Sequence, residues 1–227
     1  MNKEFYDAAI FHEQEQDILF LSTTLPSSLK NRHAKRHLEE GFNRRFMMMR
    51  ASRLFLQKHT DPADPTMRST FIMPELNVHL NAYYLNLRGA LDNLAWILHY
   101  QLKLIPGVTE KNRPQKIELT APGFLVHLRS ASIELADAMK EYSAWAKEVK
   151  ALRDPAAHRV PIYTGPGVAD IQHQVQSYIP IMFLAHDDKD EFRLIPDQLF
   201  ADHDNFLKIS RVVLSGVKNH LAGHILH

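Results

Sequence analysis

Arg153 and His158 are the residues of this chain whose types and spacing best suit joint chemistry. They lie five positions apart in the stretch LRDPAAHR. An arginine stays protonated at cellular pH and donates paired N–H groups to phosphate oxygens, and a histidine gives or takes a proton near neutrality. The pair therefore fits a metal-independent cleavage of a phosphodiester. The alternative is structural: Arg153 stabilises the C-terminal end of its helix by about 0.3–1 kcal/mol, and His158 bonds a loop carbonyl.

Asp154, which follows Arg153 directly, changes what the arginine can do. A carboxylate about 5 Å from a bound phosphate repels it by roughly 1–3 kcal/mol at effective dielectric constants of 80 to 20. Asp154 could instead form a salt bridge with Arg153, which makes the pair structural. It could also accept the second ring proton of His158, which makes that histidine a better base. The sequence leaves these alternatives open.

A second polar group lies in the stretch LRGALDNLA, in the middle of the most apolar helical pattern. Asp92 and Asn93 are candidates to reach Arg153 from that helix. Because Arg88 lies one turn before Asp92, an Arg88–Asp92 ion pair is the competing interpretation. Gly89 costs about 1 kcal/mol relative to alanine in a helix interior, which indicates a close approach by another helix.

Positive charge is concentrated between Lys30 and Lys58, where nine basic residues face two glutamates, although the net charge of the whole chain is only +1. Such a segment can lie along a phosphate backbone. It can equally be a solvated helix face whose charges pair with acids elsewhere. The residues that we consider as nucleic-acid contacts are Arg44, Arg45, Arg50, Arg53 and Arg159.

Histidines one turn apart are the main alternative to a phosphate site. His220 and His224, two of 14 histidines, have the spacing that lets both bind Zn²⁺ from one helix face, and His33 and His37 repeat it. However, no glutamate lies between His220 and His224 to act as a base. These histidines also lie near the end of the given sequence, where helices are expected to fray. We therefore expect neither a metal nor another cofactor.

The apolar pattern predicts a mainly α-helical fold of four long helices. These helices are expected at 27–59, 75–104, 124–153 (beginning at 124 or 130) and 198–226. Ser27 or Ser28 is expected to cap the first helix, and Asp202 or Asp204 the last. Residues 12–25 fit either a strand or a helix.

Two features are expected after the third helix. Pro155 disfavours helical geometry at Asp154, so the helix should end near Arg153, with Arg153 and His158 flanking a turn. The pattern at 160–196 then predicts a small β-hairpin insertion before the last helix. The prolines in this insertion favour edge strands.

An arginine followed by four to six residues and then a histidine, at a helix junction in a small bundle, resembles the HEPN superfamily. The stretch LRGALDNLA is similar to helices that pack beside that motif in bacterial members. The resemblance covers a core of about 30–158 and 198–226 within a single domain, 1–227. It implies a HEPN-like four-helix bundle, and it covers neither the N-terminal segment nor the β insertion at about 160–196.

The resemblance also implies a function, which is RNA or nucleotide binding, with endoribonuclease activity as its catalytic form. In that reaction the 2′-hydroxyl of RNA attacks the adjacent phosphate and leaves a 2′,3′-cyclic phosphate. His158 would move the proton, and Arg153 would stabilise the charge on the phosphoryl oxygens. The family further implies a homodimer and an antitoxin-type protein partner. Other members are non-catalytic binding or dimerisation modules, which is the alternative function.

The spacing of the motif is not specific by itself. Arg32–His37 and Arg53–His59 have permitted spacings too, but these pairs lie inside or at the end of a helix that we expect at the surface. Only Arg153–His158 follows a long amphipathic helix at its expected break. This setting, rather than the spacing, is the reason for choosing it.

Composition excludes several other classes. The chain has no cysteine, which rules out disulfides, thiolate nucleophiles and cysteine metal sites. Its hydrophobic fraction of 45% is sufficient for a folded core. No apolar run is long enough to cross a membrane, and the first residues do not resemble a signal peptide. We expect a cytoplasmic protein without membrane association.

Overall fold

The structure is a computed structural model of the 227-residue chain. It describes residues 3–7, 9–61, 72–112, 117–158, 162–169, 177–186 and 189–223. Only the backbone is described at residues 155–158, 165–169, 177–186 and 189–192. The described chain is mainly helical, which confirms the predicted class.

The helices and strands follow one another in a simple order. Their bounds are α1 (His12–Thr24), α2 (Arg32–Arg36), a π-helical segment (His37–Phe42), α3 (Asn43–His59), α4 (Met73–Leu102), α5 (Pro122–Ala131), α6 (Ile133–Glu141), α7 (Ser143–His158), β1 (Tyr163–Ala169), β2 (Ser177–His186), β3 (Lys189–Leu194) and α8 (Ile195–Gly223). The segment that fitted a strand or a helix is therefore helical, as α1. None of the helices in the described part of the chain combines the length and the apolar character that crossing a membrane requires.

The described residues form two compact units, each built from three stretches of chain. The first unit comprises Met1–His12, Met47–Asn86 and Val149–Asp204, and the second comprises Glu13–Phe46, Leu87–Glu148 and Asn205–His227. Each unit has its own apolar core. In the second unit the rings of Phe42, Phe46 and Phe206 lie 5.8–6.0 Å apart and are fully buried.

The first long helix begins later than the sequence suggests. Asn31, and neither Ser27 nor Ser28, caps it, because the Asn31 side chain accepts hydrogen bonds from the second and third backbone N–H groups of α2, at 2.8 and 3.2 Å. The Asn31 amide nitrogen also donates to the carbonyl oxygen of Tyr100, at 3.2 Å. The start of α2 is thereby fixed against the end of α4 within the second unit.

The central helix α4 carries the predicted apolar stripe. Every member of that stripe is at most 2% exposed: Leu76, Leu80, Tyr83, Leu87, Leu91, Leu94 and Leu98. The helix ends two residues earlier than expected. Lys103 adopts a left-handed conformation (φ 52°), and the N–H of Leu104 donates back to the carbonyl oxygen of His99, at 3.2 Å. This is the hydrogen bond of a Schellman motif, in which glycine is the usual left-handed residue.

The region predicted as a third long helix contains three helices, α5 to α7. Ser132 separates α5 from α6 and caps α6 by accepting a hydrogen bond from Leu135 N, at 3.2 Å. The expected end near Arg153 is wrong, because α7 continues through Pro155 to His158. The bias against helix before a proline is a preference only. Pro155 lies in the final turn, where the hydrogen bond that it removes is one of the last in the helix.

Three antiparallel strands precede α8, in the order β1-β2-β3. β2 is therefore central, and the expectation that prolines mark edge strands is wrong for Pro180. The register explains how it is tolerated. Pro180 lies opposite Pro166 of β1, whereas pairing with β3 begins only at Ile181. Its missing N–H therefore removes no hydrogen bond to β3.

The last helix begins at Ile195, so Asp202 and Asp204 lie in its interior and do not cap it. Asp202 is 1% exposed and accepts hydrogen bonds from the Tyr84 hydroxyl (2.8 Å) and from Gln198 Nε2 (2.9 Å). Burial raises the pKa of Tyr84 well above its usual value, and the Asp202 carboxylate adds to the rise. This cluster is part of the core of the first unit.

Candidate ligand site at the π-helical segment

The π-helical segment places one histidine against an aromatic wall. His37 begins the segment and is 15% exposed, and its ring lies parallel to that of Trp96 (5.6 Å between centroids, 7° between planes). Tyr100 stacks on His37 and also on His33, at 5.8 and 5.0 Å. A π-helical turn is rare and occurs frequently at functional sites. The apolar pattern predicted a regular helix over 27–59, so the π-helical turn within it is a departure from that prediction.

Both ring nitrogens of His37 face hydrogen-bond acceptors. Nδ1 is hydrogen-bonded to the side-chain oxygen of Asn93, at 3.0 Å, and Nε2 is hydrogen-bonded to the Glu110 carboxylate, at 2.7 Å. The orientation of Asn93 follows from its amide nitrogen, which donates to the carbonyl oxygen of Gly89, at 2.6 Å. The His37 ring is thereby held between an amide and a carboxylate.

A short loop brings Glu110 to this histidine. After α4 the chain turns back, and His99 Nε2 donates to the carbonyl oxygen of Val108, at 3.1 Å. Thr109 and Asn112 then exchange two backbone hydrogen bonds, at 3.0 and 3.1 Å, which close a tight turn with Glu110 inside it. Burial lowers the pKa of His99, which keeps that ring neutral beneath the loop.

Gly41 allows the π-helical segment to approach Asn93. A methyl group on Gly41 would lie 3.0 Å from Asn93 Nδ2 and closer still to its carbonyl oxygen. Real Cβ atoms hardly ever lie so close to a neighbour. Only glycine therefore lets Asn93 keep the position from which it bonds His37.

An open pocket of about 220 Å³ lies beside these residues. It is lined by Arg36, His37, Glu40, Gly41, Asn93 and Glu110. Arg36 Nε donates to Glu40 at 3.3 Å, and both side chains are mostly exposed. The pocket thus presents a guanidinium and two carboxylates side by side, with the imidazole and the amide forming its inner wall.

Arg45 lies one helical turn from this pocket. Its guanidinium packs over Gly89, where an alanine methyl group would lie 2.5 Å from Arg45 Cζ. The residue is half-buried. Across the described part of the chain, Arg45 forms no hydrogen bond and no ion pair. The close approach predicted at Gly89 is thus made by an arginine side chain, and its charge is available to an anionic ligand.

The remaining predicted arginine contacts differ in exposure. Arg44 is exposed and Arg50 is partly exposed. Arg53 is 1% exposed, so the prediction that it contacts nucleic acid from the surface is wrong. Its guanidinium donates to Gln57 Oε1, at 2.9 Å, and lies 5.3 Å from the centroid of the Phe11 ring. Arg159 lies outside the described residues.

The Arg153–His158 pair is only partly described. The Arg153 side chain is 34% exposed, and its Nη1 donates to Asp154 Oδ1 at 3.0 Å. Its Nε is buried and has no hydrogen-bond partner among the residues whose side chains are described. His158 is the last residue of α7, and its side chain lies outside that set. Because α7 continues to His158, these two residues do not flank a turn, as the sequence suggested.

Arg88, Asp92 and Asn93 of α4 bond within the second unit. Arg88 is 7% exposed and pairs with Asp92 (3.1 Å) and Glu118 (3.3 Å), which confirms the ion-pair interpretation of the one-turn spacing. Asn93 uses its two polar atoms on His37 and Gly89. The expectation that these residues support Arg153 therefore has no support from the hydrogen bonds that they form.

No metal site is present among the described residues, where no group of three or more His, Asp and Glu side chains is close enough to hold an ion. His220 lies in α8, and His224, its predicted partner, is outside the described residues. His33 and His37, which share the same spacing, both stack on Tyr100.

Comparison with known proteins leaves the assignment to the residues themselves. No protein-family model, curated protein or solved structure matches this chain. The resemblance to the HEPN superfamily therefore rests on the arginine–histidine motif and on the stretch LRGALDNLA.

Proposed function

We propose that this chain is a HEPN-like protein that binds RNA or a nucleotide, and that Arg45 contacts a phosphate of the ligand. The observation that carries the proposal is the half-buried guanidinium over Gly89, which has no anionic partner among the described residues. Exposed Arg44 lies beside it on α3. The basic residues of this region thus include two, Arg44 and Arg45, that form no ion pair among the described residues.

Phosphate is the anion that best fits this arginine. A guanidinium donates two parallel hydrogen bonds to phosphate oxygens. Charge-assisted hydrogen bonds contribute about 1.5–3 kcal/mol each. Because Arg45 is already desolvated in part and its side chain is held by Gly89, little further ordering is needed when the ligand binds.

The HEPN resemblance extends the proposal to the assembly. It implies a four-helix bundle core, a homodimer and an antitoxin-type protein partner. Sedimentation equilibrium at micromolar concentration tests the dimer directly: a mass of twice that of the chain supports it, and a monomer at all concentrations contradicts it.

One observation favours a binding module over a ribonuclease. Arg153 already donates to Asp154, at 3.0 Å, and a carboxylate about 5 Å from a bound phosphate repels it by about 1–3 kcal/mol. The catalytic form of the proposal requires this pair to open when RNA binds. The binding form does not require the Arg153–Asp154 pair to open.

Binding is tested with a fluorescent single-stranded RNA at several salt concentrations. Arg45→Gln should weaken binding about tenfold and reduce the salt slope by about 0.7, the contribution of one phosphate contact on a single strand. Arg211→Gln is the matched control, because Arg211 lies in α8 and pairs with Asp17 at 2.9 Å. Equal weakening by both variants would show a general charge effect and contradict the proposal.

Catalysis is tested separately by incubating the protein with RNA in EDTA. Cleavage that survives the chelator, leaves 2′,3′-cyclic phosphate ends and disappears in His158→Ala supports the ribonuclease. Intact RNA, together with binding that depends on Arg45, supports the non-catalytic module.

A further inference from the structure

We propose that the pocket beside His37 binds a nucleobase that carries an exocyclic amino group. This inference rests on the proposed function and deepens it, because it assigns the base and the phosphate of one nucleotide to different residues. Arg45 takes the phosphate. The pocket lined by Arg36, Glu40 and Glu110 takes the base.

The charges of the pocket exclude phosphate as its ligand. Glu40 and Glu110 both line it, and the guanidinium of Arg36 is shared with Glu40 at 3.3 Å. A phosphate in this position would meet two carboxylates. A neutral group with N–H donors is attracted by the same carboxylates, since one oxygen of Glu110 bonds His37 and the other is available.

The pattern of donors and acceptors matches the edge of an amino-bearing base. A carboxylate accepts from an exocyclic amino group, as Glu and Asp do from cytosine N4, and an arginine donates to guanine O6 or N7. Arg36 uses Nε on Glu40, which leaves its terminal nitrogens for a base acceptor. Guanine suits the pair best, because it offers two adjacent donors, its ring N–H and its amino group, beside the O6 acceptor that Arg36 can bond. Uracil has no amino group and suits it least.

The two parts are one helical turn apart along α4, a spacing compatible with one nucleotide. Arg45 packs over Gly89, and Asn93, which lines the pocket, lies one turn further along α4. One helical turn rises about 5.4 Å. The phosphate and the base of a nucleotide are separated by a ribose, which spans a gap of this order.

The pocket is held in place before the ligand arrives. His37 is fixed by its stack on Trp96 and by hydrogen bonds at both nitrogens. The turn closed by Thr109 and Asn112 holds Glu110. Such preorganisation reduces the ordering that binding requires, and it gives the π-helical turn a role in recognition.

Calorimetric titration with AMP, CMP, GMP and UMP tests the proposal. GMP should bind most tightly, and UMP at least fivefold more weakly than the three amino-bearing nucleotides. In Glu110→Gln the amide offers one acceptor and adds donors, so the preference over UMP should fall to less than twofold. Glu141→Gln is the matched control, because Glu141 is exposed on α6 in the same unit and has no part in the pocket.

The outcomes separate this inference from the proposed function. If none of the four nucleotides and no RNA binds, the proposed function fails. If all four bind equally and Arg45→Gln weakens each of them, the phosphate site stands and the base pocket is refuted. If UMP binds best, or if Glu110→Gln leaves the preference unchanged, the assignment of the pocket is also refuted. Circular dichroism melts confirm that each variant is folded.

Discussion

Replacement of Gly41 by alanine tests the packing on which the site depends. In an ordinary helix this change is stabilising by about 1 kcal/mol, because alanine has the higher helix propensity. Here the new methyl group would lie 3.0 Å from Asn93 Nδ2 and closer to its carbonyl oxygen. Asn93 must rotate away. It then loses its hydrogen bonds to His37 (3.0 Å) and to Gly89 O (2.6 Å).

The magnitude follows from these opposing effects. Each hydrogen bond contributes about 1 kcal/mol net, so the two together are worth about 2 kcal/mol. The gain in helix propensity offsets about 1 kcal/mol of that loss. Gly41→Ala should therefore destabilise the protein by about 1 kcal/mol. In an Asn93→Ala background the obstacle is absent, and the same change should stabilise it by about 1 kcal/mol.

Urea denaturation of the wild type, the two single variants and the double variant measures this cycle. The expected coupling energy between positions 41 and 93 is about 2 kcal/mol. If Gly41→Ala is stabilising in both backgrounds, the close approach of Gly41 to Asn93 is wrong, and the proposed preorganisation of His37 fails with it.

Three further perturbations have expected outcomes. Lys103→Gly should raise the free energy of unfolding by about 0.5–1 kcal/mol in urea, because Lys103 holds a left-handed conformation (φ 52°) that glycine adopts without strain. Burial raises the pKa of Tyr84, so the folded chain retains that proton, stability falls as the pH rises above about 10, and Tyr84→Phe should lessen the fall. Burial lowers the pKa of His99, so the unfolded chain binds the proton first, stability falls as the pH drops below about 6.5, and His99→Gln should lessen that fall in thermal melts.

The apolar periodicity predicted the buried faces of the helices well. The stripe of α4 is buried throughout. In the helical pattern at 27–59, positions 38, 42, 46, 49, 53 and 56 recur every three or four residues, and all six are buried. This spacing puts Arg53 on the inner face. Its charge suggested a surface contact instead, and the spacing was correct because Gln57 supplies a hydrogen bond inside the core.

The helix boundaries were harder to predict, because they depend on local choices that compete closely. Pro155 suggested an end to α7, but a proline in the last turn removes only one hydrogen bond. Lys103 ends α4 in a conformation for which a glycine would have been the signal. The π-helical turn at His37–Phe42 has no sequence signature of its own.

The candidate site could not be found from spacing, because its residues meet through tertiary contacts. His37 bonds two residues that are far away in the sequence. Asn93 is 56 positions from it, and Glu110 is 73 positions from it. The pair Arg32–His37 has the motif spacing and lies in the stretch that carries the pocket. It was set aside because it lies inside an expected helix, so spacing did not locate the site.

Photocrosslinking with RNA that contains 6-thioguanosine tests the central claim most directly, because it locates the ligand on the chain with a base that keeps the exocyclic amino group. The account predicts crosslinked peptides from the π-helical segment and the start of α3, or from the second half of α4, and it predicts their loss in Arg45→Gln but not in Arg211→Gln. Crosslinks confined to other parts of the chain, or equal in the two variants, would contradict it.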